Sequence, residues 1–239
     1  MNVPISDWRD RRVWLFGAST GIGAALARAL LGEGARVALS ARSAGRLAAV
    51  AGDSPRALLL PCDAADAEAI ERAAAQLVAR WGGIDVAIYL AGDYVPMRAW
   101  EIDRPAARRM IEINLGGAVA FAASVVPRLL QAADAGRGEA AAGTAQRGEI
   151  AFVASVAGYR GLPKSLVYGP TKAALINFTE ALAFDLLPRG VGVRLINPGF
   201  VATPLTARND FAMPALQTPE QAAAAILAGY RGSAFEIHF

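Results

Sequence analysis

Cysteine, histidine and lysine are almost absent from this sequence of 239 residues. Its one cysteine is Cys62, and its one histidine, His238, lies one residue from the end. A single cysteine excludes an internal disulfide and makes a cysteine-based metal cluster implausible. With one histidine, a histidine-dependent catalytic triad has at most one poor candidate, and a histidine-rich metal site has none. We therefore expect no metal site.

Long apolar runs and blocks of like charge are also missing. Lysine occurs only at positions 164 and 172, so that nearly all basic residues are arginine, and the net charge is +3. No basic block with interleaved aromatic residues supports nucleic-acid binding. No run reaches the roughly 18 unbroken apolar residues of a membrane span, and residues 1–12 are too polar for a signal sequence. We expect a soluble, cytoplasmic protein with no nucleic-acid or membrane partner.

The residues that are present predict an α/β fold. Hydrophobic residues make up 54% of the chain and charged residues 19%, which fits a sheet covered on both faces. Short β-rich runs alternate with alanine-rich amphipathic stretches, as in βαβ units around a parallel sheet. We predict one doubly wound Rossmann-fold domain over residues 1–239, with seven parallel strands. The predicted strands are 12–16, 36–40, 57–60, 86–90, 150–154, 191–196 and 235–239. The predicted helices are 22–32, 46–51, 67–81, 105–130, 168–187 and 220–230, with a flexible surface excursion over about 131–148 and a long loop over about 198–219.

A glycine-rich turn follows the first predicted strand and opens the first helix. Backbone amides at such a turn, together with the positive end of the helix, can face a pyrophosphate. Glycines allow the main chain to approach the phosphates closely. The spacing is Gly-x-x-x-Gly-x-Gly, which differs from the general dinucleotide fingerprint. The predicted cofactor-binding residues of this turn are Gly17, Ser19, Thr20, Gly21, Ile22 and Gly23.

Tyr168 and Lys172 are four residues apart, thirteen positions after Ser155. Residues at i and i+4 share one face of a helix, so the ammonium can lie beside the phenol and favour its ionised form. A tyrosine in such a site could act as an acid or a base near neutral pH.

With these motifs the chain resembles the short-chain dehydrogenase/reductase family, in its ordinary, non-extended branch, over nearly all residues from 13 to 239. The family's glycine motif matches Gly17, Gly21 and Gly23, and its Pro-Gly motif matches Pro198 and Gly199. The family's catalytic tetrad falls on Asn114, Ser155, Tyr168 and Lys172. The resemblance also implies cofactor contacts from Asp63, Ala91, Gly92, Val201 and Thr203.

The resemblance implies a role for each catalytic residue. Tyr168 would exchange a proton with the substrate oxygen while hydride moves between the substrate carbon and the nicotinamide. Lys172 would stabilise the tyrosinate and bind the nicotinamide ribose. Ser155 would hold the substrate carbonyl oxygen, and Asn114 would anchor a water that links Lys172 to solvent.

Three positions depart from the family's pattern. Phe16 replaces the usual threonine before the glycine motif. The usual Asn-Asn-Ala-Gly after the fourth strand is here Tyr89-Leu90-Ala91-Gly92, which keeps the small residues and loses the amides. Pro170 removes a backbone donor between the catalytic pair. Either the helix begins near Tyr168 or a local distortion absorbs the proline.

The end of the second strand predicts the cofactor. An acidic residue there would bind the 2′-hydroxyl of NAD, but this chain has Ala41 followed by Arg42. A guanidinium matches a phosphate, so we predict a preference for NADP over NAD. Thr20 weakens this preference, because many NADP-dependent relatives have a basic residue inside the glycine turn.

Loops after the strands are expected to form the substrate pocket, and most of the candidate side chains are apolar or aromatic. They predict a small, uncharged and fairly hydrophobic carbonyl or alcohol. Helices with more than one apolar face predict a homodimer or homotetramer. The candidate pocket residues are Asp93, Tyr94, Tyr159, Leu162, Phe200, Leu205, Phe211 and Met213.

The sequence therefore predicts an NADP-dependent oxidoreductase that interconverts a carbonyl and an alcohol, with Tyr168 as acid/base. Two alternatives stay open. The fold could serve as a catalytically silent nucleotide-binding scaffold or redox sensor, or the chain could be an extended-type epimerase or dehydratase. The full set of four catalytic residues disfavours the first, and the glycine spacing and short carboxyl-terminal region disfavour the second.

Overall fold

The structure, a computed structural model, describes residues 1–135 and 148–239. Seven strands form one parallel sheet in the order β3-β2-β1-β4-β5-β6-β7. The predicted seven-stranded, doubly wound sheet is thus confirmed. The strands are β1 (Arg12–Phe16), β2 (Arg36–Ser40), β3 (Ala57–Leu59), β4 (Val86–Tyr89), β5 (Glu149–Val153), β6 (Gly192–Asn197) and β7 (Glu236–His238). The α-helices are α1 (Gly21–Gly32), α2 (Ala44–Ala51), α3 (Ala67–Trp81), α4 (Arg104–Ile111), α5 (Gly117–Ala135), α6 (Tyr168–Leu186) and α7 (Pro219–Tyr230).

The strands form because they can bury both of their faces. Side chains alternate across a strand, and both sets on β1 are apolar. Trp14 and Phe16 belong to a core under α3, α5 and α6 on one face of the sheet. Val13 and Leu15 belong to a second core, under α1 and α7 on the other face. Helices therefore cover the sheet on both sides.

The strand order reverses between β1 and β4, which are neighbours in the sheet but not along the chain. Crossovers on either side of this point leave in opposite directions, so a crevice opens at the carboxyl ends of the two strands. The turn after β1, the segment after β4 and the segment after β5 all meet this crevice. The topology therefore fixes where a ligand can bind.

The predicted helix over 105–130 is in fact two helices. Between α4 and α5 lies a π-helical turn, Glu112–Gly116, which contains Asn114. The helix α5 continues to Ala135, so the predicted excursion over 131–148 is wrong for its first five residues. Residues 136–147 of that excursion lie outside the described residues.

Helix α6 begins at Tyr168, which resolves the question raised by Pro170. The proline is the third residue of the helix, where a backbone donor has no partner within the helix in any case. Pro170 therefore fits the first turn without distorting the helix.

One helical stretch, residues 104–134, is long and apolar enough to cross a membrane by length and composition alone. The search for unbroken apolar runs had found no candidate for a membrane span, and this stretch is one by the broader criterion of mean hydropathy. In the most apolar 18 residues of this stretch, 50% is buried inside the structure. Core helices of this kind pass the same test, and Phe121 and Leu129 of this stretch are completely buried in the core beside the sheet.

Candidate active site

The glycine turn between β1 and α1 is shaped by close contacts within the protein. Gly17 has a φ of +105°, and a Cβ there would lie 2.5 Å from the backbone nitrogen of Ala91. A Cβ on Gly21 would lie 2.8 Å from Cγ2 of Thr203, and one on Gly23 would overlap the carbonyl oxygen of Gly17. The three glycines thus bring the segment after β4 and the loop after β6 close to the start of α1.

The first turn of α1 keeps its backbone donors available. Thr20 is the N-cap residue, and its side chain makes no capping hydrogen bond. The amides at the start of a helix have no acceptor inside the helix, and they carry the positive end of its dipole. Gly21, Ile22 and Gly23 line the crevice. This turn can accept the phosphates of a dinucleotide.

Arginines cluster where β2 ends. Arg42 and Arg46 are both exposed and both line the crevice. Neither guanidinium has a hydrogen bond or ion pair within the described residues. Sequence reasoning singled out Arg42 and missed Arg46, although the i, i+4 spacing of the two residues was visible. Asp63, after β3, lines the same end of the crevice.

Tyr168, Ser155 and Lys172 meet at the other end. Tyr168 starts α6, and Ser155, which follows β5, lies beside its phenol. Nζ of Lys172, one turn further along α6, is 5.7 Å from the centre of the Tyr168 ring. The lysine is buried, and its Nζ donates to the carbonyl oxygen of Val153 at 2.9 Å.

Burial dominates the acid–base properties of this pair. It raises the pKa of Tyr168 to about 12, although the neighbouring Ser155 hydroxyl acts in the opposite direction. Burial also lowers the pKa of Lys172 to about 8. The expectation that the lysine would bring the phenol towards ionisation near neutral pH is therefore wrong for this structure. At neutral pH the phenol keeps its proton.

Asn114 is fully buried behind the crevice and does not line it. Its amide oxygen accepts from the backbone nitrogen of Asp93 at 2.7 Å, and its amide nitrogen donates to the Asp93 carbonyl oxygen at 3.0 Å. The same nitrogen donates to Oγ1 of Thr171 at 3.0 Å. Asn114 thus fastens the segment after β4 to the start of α6, and its place in a π-helical turn fits the frequent use of such turns at functional sites.

Two of the departures from the family's pattern contact each other. The rings of Phe16 and Tyr89 are stacked, with their centres 5.4 Å apart. The Tyr89 hydroxyl donates at 2.6 Å to the carbonyl oxygen of Ile113, in the π-helical turn. A Cβ on Gly117 would collide with this hydroxyl. The aromatic pair therefore forms one packed unit that positions the turn containing Asn114.

The substrate side of the crevice is more polar than predicted. Of the eight candidate pocket residues, only Asp93 and Leu205 line the crevice. Tyr94 is buried against the Tyr168 ring, with the ring centres 5.1 Å apart. Phe200 packs against Phe211. The remaining three, which also lie away from the crevice lining, are Tyr159, Leu162 and Met213.

Two arginines that sequence reasoning missed reach the substrate side instead. Nε of Arg109, on α4, lies 3.0 Å from Oδ2 of Asp93. Nη1 of Arg208, in the loop after β6, lies 3.6 Å from Oδ1 of the same carboxylate and donates to the carbonyl oxygen of Tyr94. Neither contact has a local sequence signal, because each joins segments that are distant in the chain.

These residues line one continuous cleft of about 400 Å³. It runs from the arginines after β2, past the start of α1, to Tyr168 and Ser155. Within the described residues, no cluster of three or more metal-ligating side chains is present. Every predicted cofactor-binding or catalytic residue lines the cleft except Asn114. Those lining it are Gly17, Ser19, Thr20, Gly21, Ile22, Gly23, Arg42, Asp63, Ala91, Gly92, Ser155, Tyr168, Lys172, Pro198, Gly199, Val201 and Thr203.

Comparisons with known proteins identify the family. The family model described as short chain dehydrogenase matches residues 11–212. An uncharacterized oxidoreductase from Myxococcus xanthus is 32% identical over 216 residues, which span 89% of this chain and 80% of that protein. A sorbitol dehydrogenase from Cereibacter sphaeroides is 36% identical over 186 residues, spanning 77% of this chain and 68% of that one.

A solved structure agrees with these matches. A short chain dehydrogenase from Burkholderia cenocepacia, in complex with NADP, superposes with a TM-score of 0.82 at 28% identity, covering 98% of this chain and 89% of that one. The chain belongs to the short-chain dehydrogenase/reductase family. It is an oxidoreductase of the class that acts on CH–OH groups, as the sequence predicted.

Proposed function

We propose that the protein is an NADP-dependent oxidoreductase that interconverts a carbonyl and an alcohol, with Tyr168 as the proton donor to the carbonyl oxygen. One observation carries the proposal. The phenol, the Ser155 hydroxyl and the Lys172 ammonium converge at one end of a cleft whose other parts suit a dinucleotide.

The residues of the cleft fit a dinucleotide. Uncapped amides at the start of α1 suit its pyrophosphate, and the two arginines after β2 suit a phosphate on its adenosine ribose. Gly92 lies directly beside Lys172, because a Cβ there would be in van der Waals contact with Nζ, at 3.8 Å. When bound, the nicotinamide supplies the hydride for reduction or accepts it in the reverse direction.

The acid–base properties of the site suit reduction at neutral pH. Tyr168, with a pKa of about 12, holds its proton and can donate it to a carbonyl oxygen that gains negative charge. Ser155 can hydrogen-bond the same oxygen and polarise the carbonyl. Lys172, with a pKa of about 8, is mostly cationic at pH 7 and would stabilise the tyrosinate that remains. Asn114 would keep Asp93 and Thr171 in place around this pair.

The proposed preference for NADP depends on Arg42 and Arg46. A phosphate on the ribose would gain charge-assisted hydrogen bonds from two guanidiniums that have no partner within the described residues. Replacing Arg42 with Ala should weaken NADPH binding about tenfold or more and change NADH binding less than about twofold. Fluorescence titration of both cofactors measures this, with Arg28→Ala, an exposed change on α1, as control. An equal effect on both cofactors would remove the argument for NADP.

The activity itself is tested with purified protein and a panel of aldehydes and ketones, by following oxidation of NADPH and NADH. Turnover of at least one carbonyl is expected, faster with NADPH at limiting cofactor. If cofactor binds and no member of a broad panel is reduced, a silent scaffold or sensor becomes the better interpretation.

Three further features remain proposals. The chain forms one dinucleotide-binding and catalytic domain, it is cytoplasmic, and it associates into a homodimer or homotetramer. Phe184 on α6 is 83% exposed, which suits a helix face that a second subunit covers.

A further inference from the structure

The substrate end of the cleft carries an excess of positive charge. Arg109 and Arg208 approach the single carboxylate of Asp93, one guanidinium at each oxygen. The carboxylate side chain is 17% exposed and each arginine side chain is 51% exposed. One carboxylate offsets one guanidinium, so a positive charge is left at this point. Lys172 adds another nearby.

Arg208 is connected to the reacting groups through Tyr94 and Asp93. It donates to the carbonyl oxygen of Tyr94, whose ring packs against the ring of Tyr168. Asp93, its ion-pair partner, directly follows Gly92, and a Cβ on Gly92 would lie 3.8 Å from Nζ of Lys172. Arg208 therefore shares with Tyr168 both a neighbour, Tyr94, and the lining of one cleft.

Donors remain free on both arginines. Only Nη1 of Arg208 and Nε of Arg109 take part in the hydrogen bonds and ion pairs found among the described residues. A guanidinium has five N–H donors in a planar fork, which matches carboxylate and phosphate geometry. Asp210, in the same loop as Arg208, pairs with Lys164 from the segment before α6, and this pair leaves no excess charge.

The cofactor does not account for these arginines. Under the proposed function, its pyrophosphate is met by the start of α1, and its ribose phosphate by Arg42 and Arg46 at the end of the cleft away from Tyr168. The apolar side chains that suggested a hydrophobic substrate mostly lie outside the lining. The charged residues Asp93, Arg109 and Arg208 do belong to the lining.

We propose that the substrate is an anionic carbonyl compound, with a carboxylate or phosphate bound by Arg208 and Arg109. This inference rests on the proposed function, because it names the substrate of the same site. Arg208 and Arg109 are then specificity-determining residues, and Asp93 holds both guanidiniums in place. The loop that carries Arg208 would be drawn onto the cleft by the anion as well as by Asp93.

The test measures binding without turnover. Protein saturated with NADP⁺ cannot reduce a ketone, so calorimetry reports ligand affinity alone. Two matched pairs serve as ligands: 2-oxobutyrate with its methyl ester, and dihydroxyacetone phosphate with dihydroxyacetone. Wild-type protein should bind at least one anion about tenfold or more tightly than its neutral partner. The anion that shows this preference identifies the carboxylate or the phosphate as the group recognised.

Variants then show whether Arg208 and Arg109 cause the preference for the anionic ligand. Arg208→Gln and Arg109→Gln should each reduce the affinity for the anion about tenfold and leave the neutral ligand within about twofold. Arg208→Lys should retain part of the preference, because the charge remains. Arg160→Gln is the control, since Arg160 is exposed and lies outside the cleft lining.

Four results on ligand binding, and one on cofactor binding, would overturn the inference. The four results on ligand binding are equal binding of anion and neutral partner by the wild type, no binding of either anion, an unchanged preference in both glutamine variants, and an equal loss of affinity for charged and neutral ligands in those variants. The last would mean that the arginines only shape the loop. A marked loss of NADP⁺ affinity in Arg208→Gln would assign that residue to the cofactor and also overturn the inference. Failure of the carbonyl panel with NADPH, beside a clear anion preference, would instead contradict the proposed function alone.

Discussion

Arg194 and Lys172 are both buried cations, but their surroundings differ. Arg194, on β6, is 0% exposed, and its Nε lies 2.8 Å from Oε1 of the buried Glu149. The guanidinium also lies over the ring of Tyr230, with 4.8 Å to the ring centre. It donates to the carbonyl oxygens of Val3, Gly229, Gly232 and Ala234.

Lys172 is 4% exposed, and within the described residues its Nζ makes a single hydrogen bond, to Val153. Burial lowers its pKa to about 8, because too few partners replace the lost water. A buried charge with a full set of partners holds segments of the chain together. A buried charge with few partners destabilises the fold, and destabilising groups of this kind are common at functional sites. The difference indicates that Arg194 serves stability and Lys172 serves chemistry.

The largest expected effect on stability comes from Arg194→Met. Removal of the guanidinium takes an ion-pair partner at 2.8 Å away from the buried Glu149 carboxylate, which should lower the free energy of unfolding by about 3–5 kcal/mol. Urea denaturation measures this loss. The turnover of the protein that remains folded should be unchanged, because Arg194 is absent from the cleft lining. With the exposed Arg160→Met as control, a loss below about 1 kcal/mol would contradict the structural role.

Lys172→Met should have the opposite effect. The fall in the Lys172 pKa from 10.5 to about 8 corresponds to about 3 kcal/mol of unfavourable burial at neutral pH. Loss of the hydrogen bond to Val153 offsets about 1–2 kcal/mol of this. The variant should thus be up to about 2 kcal/mol more stable at pH 7 by urea denaturation, with carbonyl reduction reduced at least about a hundredfold. A less stable variant would remove the contrast between the two cations.

The pH dependence of stability gives the smallest of these effects. The folded pKa of Lys172 lies below its unfolded value, so between pH 8 and 10.5 the unfolded chain binds a proton that the folded protein does not. This residue should therefore raise the free energy of unfolding by about 1 kcal/mol between pH 7.5 and 9. The quantity to measure is the difference between wild type and Lys172→Met, since other titrating groups cancel in it. A difference that is flat with pH would contradict a lowered pKa.

Much of the fold could be predicted from the sequence, because its signals are local. The apolar runs of β1 and β2 lie between the turns and helices that bound them, and both strands have the predicted ends. The π-helical turn at Asn114 could not be predicted, since one inserted residue barely changes a helical hydrophobic pattern. Phe16 and Tyr89 each departed from the family's motif, but only the folded sheet brings their rings together.

The residues of the site also divide into those that the sequence predicts and those that only the fold brings together. Most residues of the site belong to motifs with a fixed spacing, and such motifs can be recognised in the sequence. Arg109 and Arg208 escaped prediction because their meeting at Asp93 depends on three segments from different parts of the chain. The direction of the Tyr168 pKa also escaped it, because the i, i+4 spacing of Lys172 says nothing about how deeply both groups are buried.

Tyr168→Phe tests the central claim most directly, since it removes one hydroxyl and keeps the ring that packs against Tyr94. NADPH oxidation with the best carbonyl of the panel should fall about 100- to 10,000-fold, while the affinity for NADPH stays within about twofold. The unfolding transition in urea should remain close to that of the wild type. A variant that binds NADPH normally and keeps most of the wild-type rate would contradict the assignment of Tyr168 as the proton donor.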